Sequence, residues 1–212
     1  MKTLIVCGEF FNKSNGLSVS TQRFVKEFMR QGQQVRVLAD DRGGKADYSV
    51  PVIHVPFFNG IMEAQNYFFA KPDRRVVKEA LDWANLVHIE DPFPLSAVVV
   101  REAVRRADLY VHCANVEVEG MGCMEAFAAG TVPVIADSAL SSTSAYALSG
   151  QNRYKAGNVQ ELTRKIDYWF EHRADLPKVG EDYIALAKTL SIEESARKVI
   201  AMMEDTAKAF EK

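Results

Sequence analysis

Two glutamates, Glu117 and Glu125, stand with seven residues between them in the run VEVEGMGCMEAFAAGTVPVIA, residues 116–136. A bend with glycines at 120 and 122 leads into a small-residue helix, then into the buried-strand pattern TVPVIA. One carboxylate ahead of a helix N-terminus and another within its first turns can accept hydrogen bonds from a polyhydroxylated ligand at two points. The backbone N–H groups between them have no partner inside the helix and suit a phosphate, as does the helix dipole. The candidate binding set is Glu117, Gly120, Met121, Gly122 and Glu125. The plain alternative is a polar loop with Glu125 as an early-helix charge, and Glu119 reads as a solvated residue.

A second group of candidates lies in the first half of the chain. Asn15 and Gly16 fall in the loop after the first strand, at the strand ends where open α/β sheets bind ligands. N-G is also a common simple turn. Asp91 ends the fourth strand and could orient an acceptor hydroxyl or cap the helix that follows. His88 reads as a core or supporting histidine. The stretch 57–75 sets Phe57, Phe58, Tyr67, Phe68 and Phe69 beside Lys71, Arg74 and Arg75. That combination suits a peripheral membrane or lipid contact, and equally ordinary packing on a sheet.

Several classes are excluded or disfavoured. Formal net charge is −2 without a basic tail, so charge makes no case for nucleic acid. The opening MKTLIVCGEFF carries too short an apolar run for a signal peptide, and nothing approaches the roughly 20 apolar residues of a membrane span. The expected location is cytoplasmic. Cys7, Cys113 and Cys123 read as reduced core residues, and the four histidines show no metal-ligand spacing with them. Neither G-x-G-x-x-G nor G-x-x-x-x-G-K-[ST] occurs, which disfavours a dinucleotide cofactor and a P-loop.

The elements that must position these residues alternate between short β-branched runs and helical patterns, the signature of βαβ units and a parallel sheet. Strands are predicted at 3–7, 34–38, 50–55, 85–89, 109–112 and 132–136, with a short seventh at 153–155. Helices are predicted at about 18–31, 72–84, 95–105, 121–129 and 158–172. Phe24, Val25, Phe28 and Met29 form the apolar face of the first helix. Leu162, Ile166, Trp169 and Phe170 form that of 158–172. Ser191 and Glu194 make a capping box for a final helix with Ala196, Val199, Ile200, Met203 and Ala207 on one face. The expected fold is α/β: one domain over 1–212, with a single doubly wound, mainly parallel Rossmann-like sheet of six or seven strands. Helices cover both faces and end the chain.

The run 116–136 resembles the E-x7-E donor-sugar motif of the retaining GT-B glycosyltransferases, family 4 in particular. Residues 107–212, including ADLYVHCANVEVEGMGCMEAFAAGTVPVIADS and NRYKAGNVQELTRKIDYWFEH, resemble the second part of that family's donor domain. Residues 1–106, with TLIVCGEFF, NKSNG, TQRFVKEFMRQGQQVRVL and NLVHIEDPFPLS, resemble the first part of its acceptor domain. The last string is similar to the subgroup that glycosylates diacylglycerol-type lipids. The join falls near 105–107, and the chain reads as shortened. The family's G-R-L…E-K-like segment, which neutralises the leaving diphosphate, has no counterpart. Its acceptor-domain histidine has no clear match, since the neighbours of His112 belong to the donor-side pattern.

The resemblance implies hexose transfer, with retention, from a nucleoside diphosphate sugar such as a uridine-linked one to a lipid or saccharide hydroxyl. Glu125 would take the ribose hydroxyls and Glu117 those of the sugar. Gly120, Met121 and Gly122 would offer N–H groups. The acceptor side would fall to Asn15, Gly16 and Asp91. No metal or other cofactor is implied. The alternative is a non-catalytic nucleotide-sugar-binding module, or an inactive remnant. A homodimer could rebuild a two-lobed cleft. Lys13, Arg23 and Lys155 are the cations whose placement beside the Glu117–Glu125 helix would favour the enzyme.

Overall fold

The computed structural model describes residues 1–54, 60 and 68–210. The chain divides into two compact units, Met1–Ala103 and Val104–Lys212. The division falls just before the predicted join.

The first unit is a four-stranded parallel sheet in the order β3-β2-β1-β4, with β1 at Lys2–Val6, β2 at Gln34–Asp40, β3 at Tyr48–Val50 and β4 at Leu86–Ile89. Four of the five β1 residues are buried on alternating faces, which is why this strand reads as an unbroken apolar run. Leu4 and Val6 pack with Leu38, Val77, Leu95 and Val99, under α2 (Arg74–Trp83) and α3 (Pro94–Val104). Ile5 packs on the other face with Val35, Val37 and Val25 of α1 (Gly16–Arg30). Helices therefore cover both faces of this sheet.

The second unit holds a three-stranded parallel sheet, β5-β7-β9, made of β5 (Leu109–His112), β7 (Val132–Asp137) and β9 (Arg153–Lys155). A two-residue parallel pair, β6 (Val116–Glu117) with β8 (Leu140–Ser141), lies beyond β5 and β7 in the chain. Pro133 is tolerated in the central strand because β9 pairs only with residues from Ile135 onward, while Asn152 donates its amide to the Pro133 carbonyl. The core joins Phe127 of α4 (Met121–Ala128), Trp169 of α5 (Val159–Glu171) and Tyr183 of α6 (Leu176–Thr189) to Val132, Val134 and Ile135. A Cβ at Gly180 would collide with the Gly130 carbonyl, so glycine there lets α6 close on the turn after α4. The last helix is α7, Ile192–Phe210.

The α/β class with parallel strands stands, but the strands belong to separate sheets of four, three and two rather than one sheet of six or seven. The third strand is shorter than expected. After Val50 the chain makes an isolated antiparallel bridge, Val52 to Ala70. In α1, Ser18, Thr21 and Val25 turn inward while Phe24 and Met29 are exposed, so small residues let that helix sit close to the sheet. Asp73 rather than Pro72 opens α2, accepting from the Arg75 and Val76 amides. Ser191 does cap α7 through the Glu194 amide at 3.2 Å, yet Val199, Ile200 and Met203 are exposed, as is Phe170 of α5. Cys113 is exposed rather than core, unlike Cys7 and Cys123. His88 lies on an edge strand, exposed, with Nε2 at 3.1 Å from Glu90. Of the stretch 57–75, residues 57–59 and 61–67, with Phe57, Phe58 and Tyr67, lie outside the described residues. Among the described residues no helix is long and apolar enough to cross a membrane.

Candidate ligand site at the start of α4

The β6–β8 pair fixes the approach to α4. Glu117 pairs in register with Ser141, and its carbonyl accepts from the Ser142 amide at 3.1 Å. Ser142 Oγ donates to the Val118 carbonyl. Ser141 and Thr143 share a hydroxyl–hydroxyl bond of 2.8 Å, and Thr143 is fully buried. Gly120 follows at φ 67, ψ 43, a left-handed conformation that favours glycine. The Thr143 methyl group occupies the space a Cβ there would need. The serines and Thr143 of 138–144 thus hold the Glu117 loop, a role the sequence reading did not assign. The signal was a cluster of hydroxyl side chains just past a strand's carboxyl end.

Gly120 is the N-cap of α4 and brings no side chain to it. Its carbonyl accepts from Cys123 and Met124 at 2.8 and 3.1 Å. The amides of Met121 and Gly122 precede the first intrahelical bonds, and the first turn holds no acidic residue. Met121 and Glu125 are exposed and Glu117 is half-buried, its Oε1 accepting from the next amide, Val118, at 3.1 Å. The helix start therefore offers N–H groups and a positive dipole end, with a carboxylate on either side of it in sequence.

Beneath the bend lies Tyr110. A Cβ at Gly122 would come within 2.6 Å of its hydroxyl, so glycine at 122 makes room for the phenol. Burial pushes the Tyr110 hydroxyl up to about 12, with the Cys123 thiol, Glu125 and Glu117 adding to it. Cys123 is likewise held at about 12, first by burial and then by Glu117. Tyr110 and His112 point to the same side of β5, with near-parallel rings at 6.1 Å and the hydroxyl 3.5 Å from Nδ1. His112 is buried. Lys155 ends β9, at the carboxyl edge shared by the three strands.

In the first unit, the Asn15 side chain caps α1, accepting from Leu17 N at 3.0 Å and donating to Glu9 at 3.2 Å. Gly16 opens α1, and a Cβ there would meet open space. Asp91 is buried and engaged at both oxygens, accepting from Gly8 N at 2.6 Å, Ser96 Oγ at 2.8 Å and Phe93 N at 3.1 Å. Glu9, also buried, accepts from Asn12, Asn15 and the Phe68 amide. Sequence reasoning passed over it, although a lone acid directly after a buried strand was the available signal. A cavity of about 250 Å³ lined by Phe11, Asn12, Lys13, Asp40, Arg42 and Gly43 lies nearby. Arg42 pairs with Asp40 at 3.0 Å there, while burial raises the Asp40 carboxyl against the opposing effect of Arg42.

Parallel strands, helices on the sheet faces and a helix start without a side-chain cap between two glutamates define an α/β protein with a candidate site for an anionic, hydroxylated ligand. The family described as glycosyl transferases group 1 matches residues 73–188, more than half of the chain and all of the Glu117–Glu125 region. The chain belongs to that family. It is also similar to the catalytic domain of cholesterol-α-glucosyltransferase from Helicobacter pylori, at 22% identity over 89% of this chain and 99% of that one, with a TM-score of 0.45. At that identity and superposition the likeness adds nothing to the family assignment. No curated protein matches the chain.

Proposed function

We propose that the chain binds a nucleoside diphosphate sugar at the start of α4 and transfers its hexose, with retention, to a lipid or saccharide hydroxyl, as a GT-B enzyme of family 4 type. The observation that carries this reading is the N-terminus of α4, which lacks a side-chain cap and stands between Glu117 and Glu125. Its amides suit the diphosphate, and the two carboxylates suit hydroxyl groups that donate. In this reading Glu125 takes the ribose, Glu117 the sugar, and the amides of Gly120, Met121 and Gly122 the phosphates. The Asn15–Gly16 turn and Asp91 belong to the acceptor side. Developing charge on the leaving diphosphate is where fixed N–H groups contribute most to such a transfer.

Calorimetric titration with uridine-, guanosine- and adenosine-diphosphate hexoses tests the donor site. The parent protein should bind at least one of them. Glu125→Ala should abolish that binding while the circular dichroism stays unchanged. Absence of binding to every member would remove the donor-site reading. Binding without transfer to a diacylglycerol or saccharide acceptor would leave a nucleotide-sugar-binding module in place of an enzyme.

A further inference from the structure

His112 supplies an observation that the two glutamates do not explain. Its Nε2 is buried and has no hydrogen-bond partner among the described residues. A polar atom in that position costs stability unless something pairs with it. The other ring nitrogen faces the Tyr110 hydroxyl at 3.5 Å, and that hydroxyl abuts Gly122 in the first turn of α4. Burial and the neighbouring acidic groups keep Tyr110 protonated far above neutrality, so its hydroxyl has a proton to give as well as lone pairs to accept. Donation to Nδ1 leaves the proton of a neutral imidazole on Nε2. The orphan is then an N–H donor, at the end of β5 and within one residue of Cys113, on the chain that leads through β6 to Gly120. The titratable groups acting on this corner are Tyr110, Cys113, Cys123, Glu117 and Glu125.

Carboxylates collect hydroxyl donors, whereas N–H groups collect oxyanions. Glu117 and Glu125 therefore suit the sugar and ribose, while the first amides of α4 suit an oxyanion. We propose that His112 Nε2 donates a hydrogen bond to a phosphate oxygen of the bound nucleoside diphosphate, acting with the α4 N-terminus as part of its phosphate-binding set. This rests on the donor-site reading above. It gives the diphosphate a fixed side-chain donor in the second unit.

The test uses uridine, guanosine and adenosine diphosphates beside the matching nucleosides, titrated into the parent protein, His112→Asn and His112→Gln. Asparagine reaches the place of Nδ1 and keeps a partner for Tyr110, but puts nothing at Nε2. Glutamine puts an N–H donor near Nε2. His112→Asn should weaken diphosphate binding about tenfold and leave nucleoside binding within about twofold, while His112→Gln stays within about threefold of the parent on both. On the parent itself, the 15N resonance of His112 Nε2 should shift with the diphosphate and not with the nucleoside, which keeps the proposal testable should either variant fail to fold. Diphosphate affinity unchanged in His112→Asn, an equal loss for diphosphate and nucleoside, or an Nε2 resonance indifferent to the diphosphate would each overturn the role of His112. Those results would leave the donor site standing. A parent that binds no nucleotide at all would remove both.

Discussion

The two units carry candidate side chains of the same kinds, and they use them differently. In the first, Asp91 holds the Gly8 and Phe93 amides and the Ser96 hydroxyl, Glu9 accepts from Asn12, Asn15 and Phe68, and Asn15 caps α1. Their hydrogen bonds are turned inward and hold the loops after β1 and β4. In the second, α4 starts without a side-chain cap, Glu125 is exposed, and His112 keeps a buried nitrogen unpaired among the described residues, as Ser18 Oγ and Arg42 Nε are in the first. Bonding capacity left open at a scaffolded position marks a binding site better than residue type does, because buried polar groups are otherwise almost always satisfied. The inward bonds hold their loops, and the open groups at the start of α4 are the ones the proposed donor site uses.

The largest effect that would break or sharpen this contrast is alkaline. Burial holds Tyr110, Tyr154 and Tyr183 at about 12 from an ordinary 10, and Cys123 at about 12 from 9, all in the second unit. Among the described residues of the first unit only Cys7 is raised so far, also to about 12. A group whose folded pKa is raised contributes stability that is fully present below its unfolded pKa and lost as pH climbs toward the folded value. The window is therefore pH 9 to 12, and the second unit should be lost first within it. Each unit has one tryptophan, Trp83 in the first and a buried Trp169 in the second. Fluorescence of Trp→Phe variants during alkaline titration reads the two separately. Loss of the Trp83 signal ahead of the Trp169 signal would reverse the expected order.

A pair of substitutions comes next. Gly120→Ala forces a Cβ into a left-handed residue and against the Thr143 methyl group. The combined strain should cost about 3 kcal/mol, read at Trp169 in urea, and nucleotide binding should fall with it. Asp91→Ala strips partners from the buried Gly8 amide and the Ser96 hydroxyl. It should cost about 2 kcal/mol, read at Trp83. If Gly120→Ala left both stability and binding intact, the bend would be an ordinary loop and the contrast between the units would dissolve.

Much of this was legible in the chain. The buried strands β1, β2 and β7 announce themselves as short β-branched runs, and Gly32, at φ 79 just past α1, marks a helix end. The glutamate pair and its glycines stand out because their roles are local: the helix start, the bend and both carboxylates lie within one short segment. The partition into separate sheets was not legible, since a βα unit carries the same local pattern whichever sheet its strand joins. Periodicity also names an apolar face without saying that anything covers it, which is why Val199, Ile200 and Met203 line up on one face and yet are exposed. Thr143 and Tyr110 escaped notice for a related reason. Each matters through contact with one glycine, Gly120 or Gly122, and a glycine in sequence does not show what fills the space beside it.

The smallest effect concerns caps, and it isolates the contrast at a single atom. Asn15 Oδ1 accepts the Leu17 amide at 3.0 Å, so α1 begins with one of its unpaired donors satisfied. The start of α4 has no such side chain. Asn15→Ala should cost about 1 kcal/mol, read at Trp83 by urea unfolding, while Asn15→Gly should cost only a few tenths. Either residue adopts the extended cap conformation of Asn15 at φ −94, ψ 120, but the alanine methyl group shields the freed amide, whereas glycine lets water reach it. Equal losses for the two variants would mean that the bond from Asn15 to Glu9, which both remove, carries the stability instead. A larger loss in alanine alone assigns it to the cap, and sets the bare start of α4 apart from α1, α2 and α5, which open on side-chain caps.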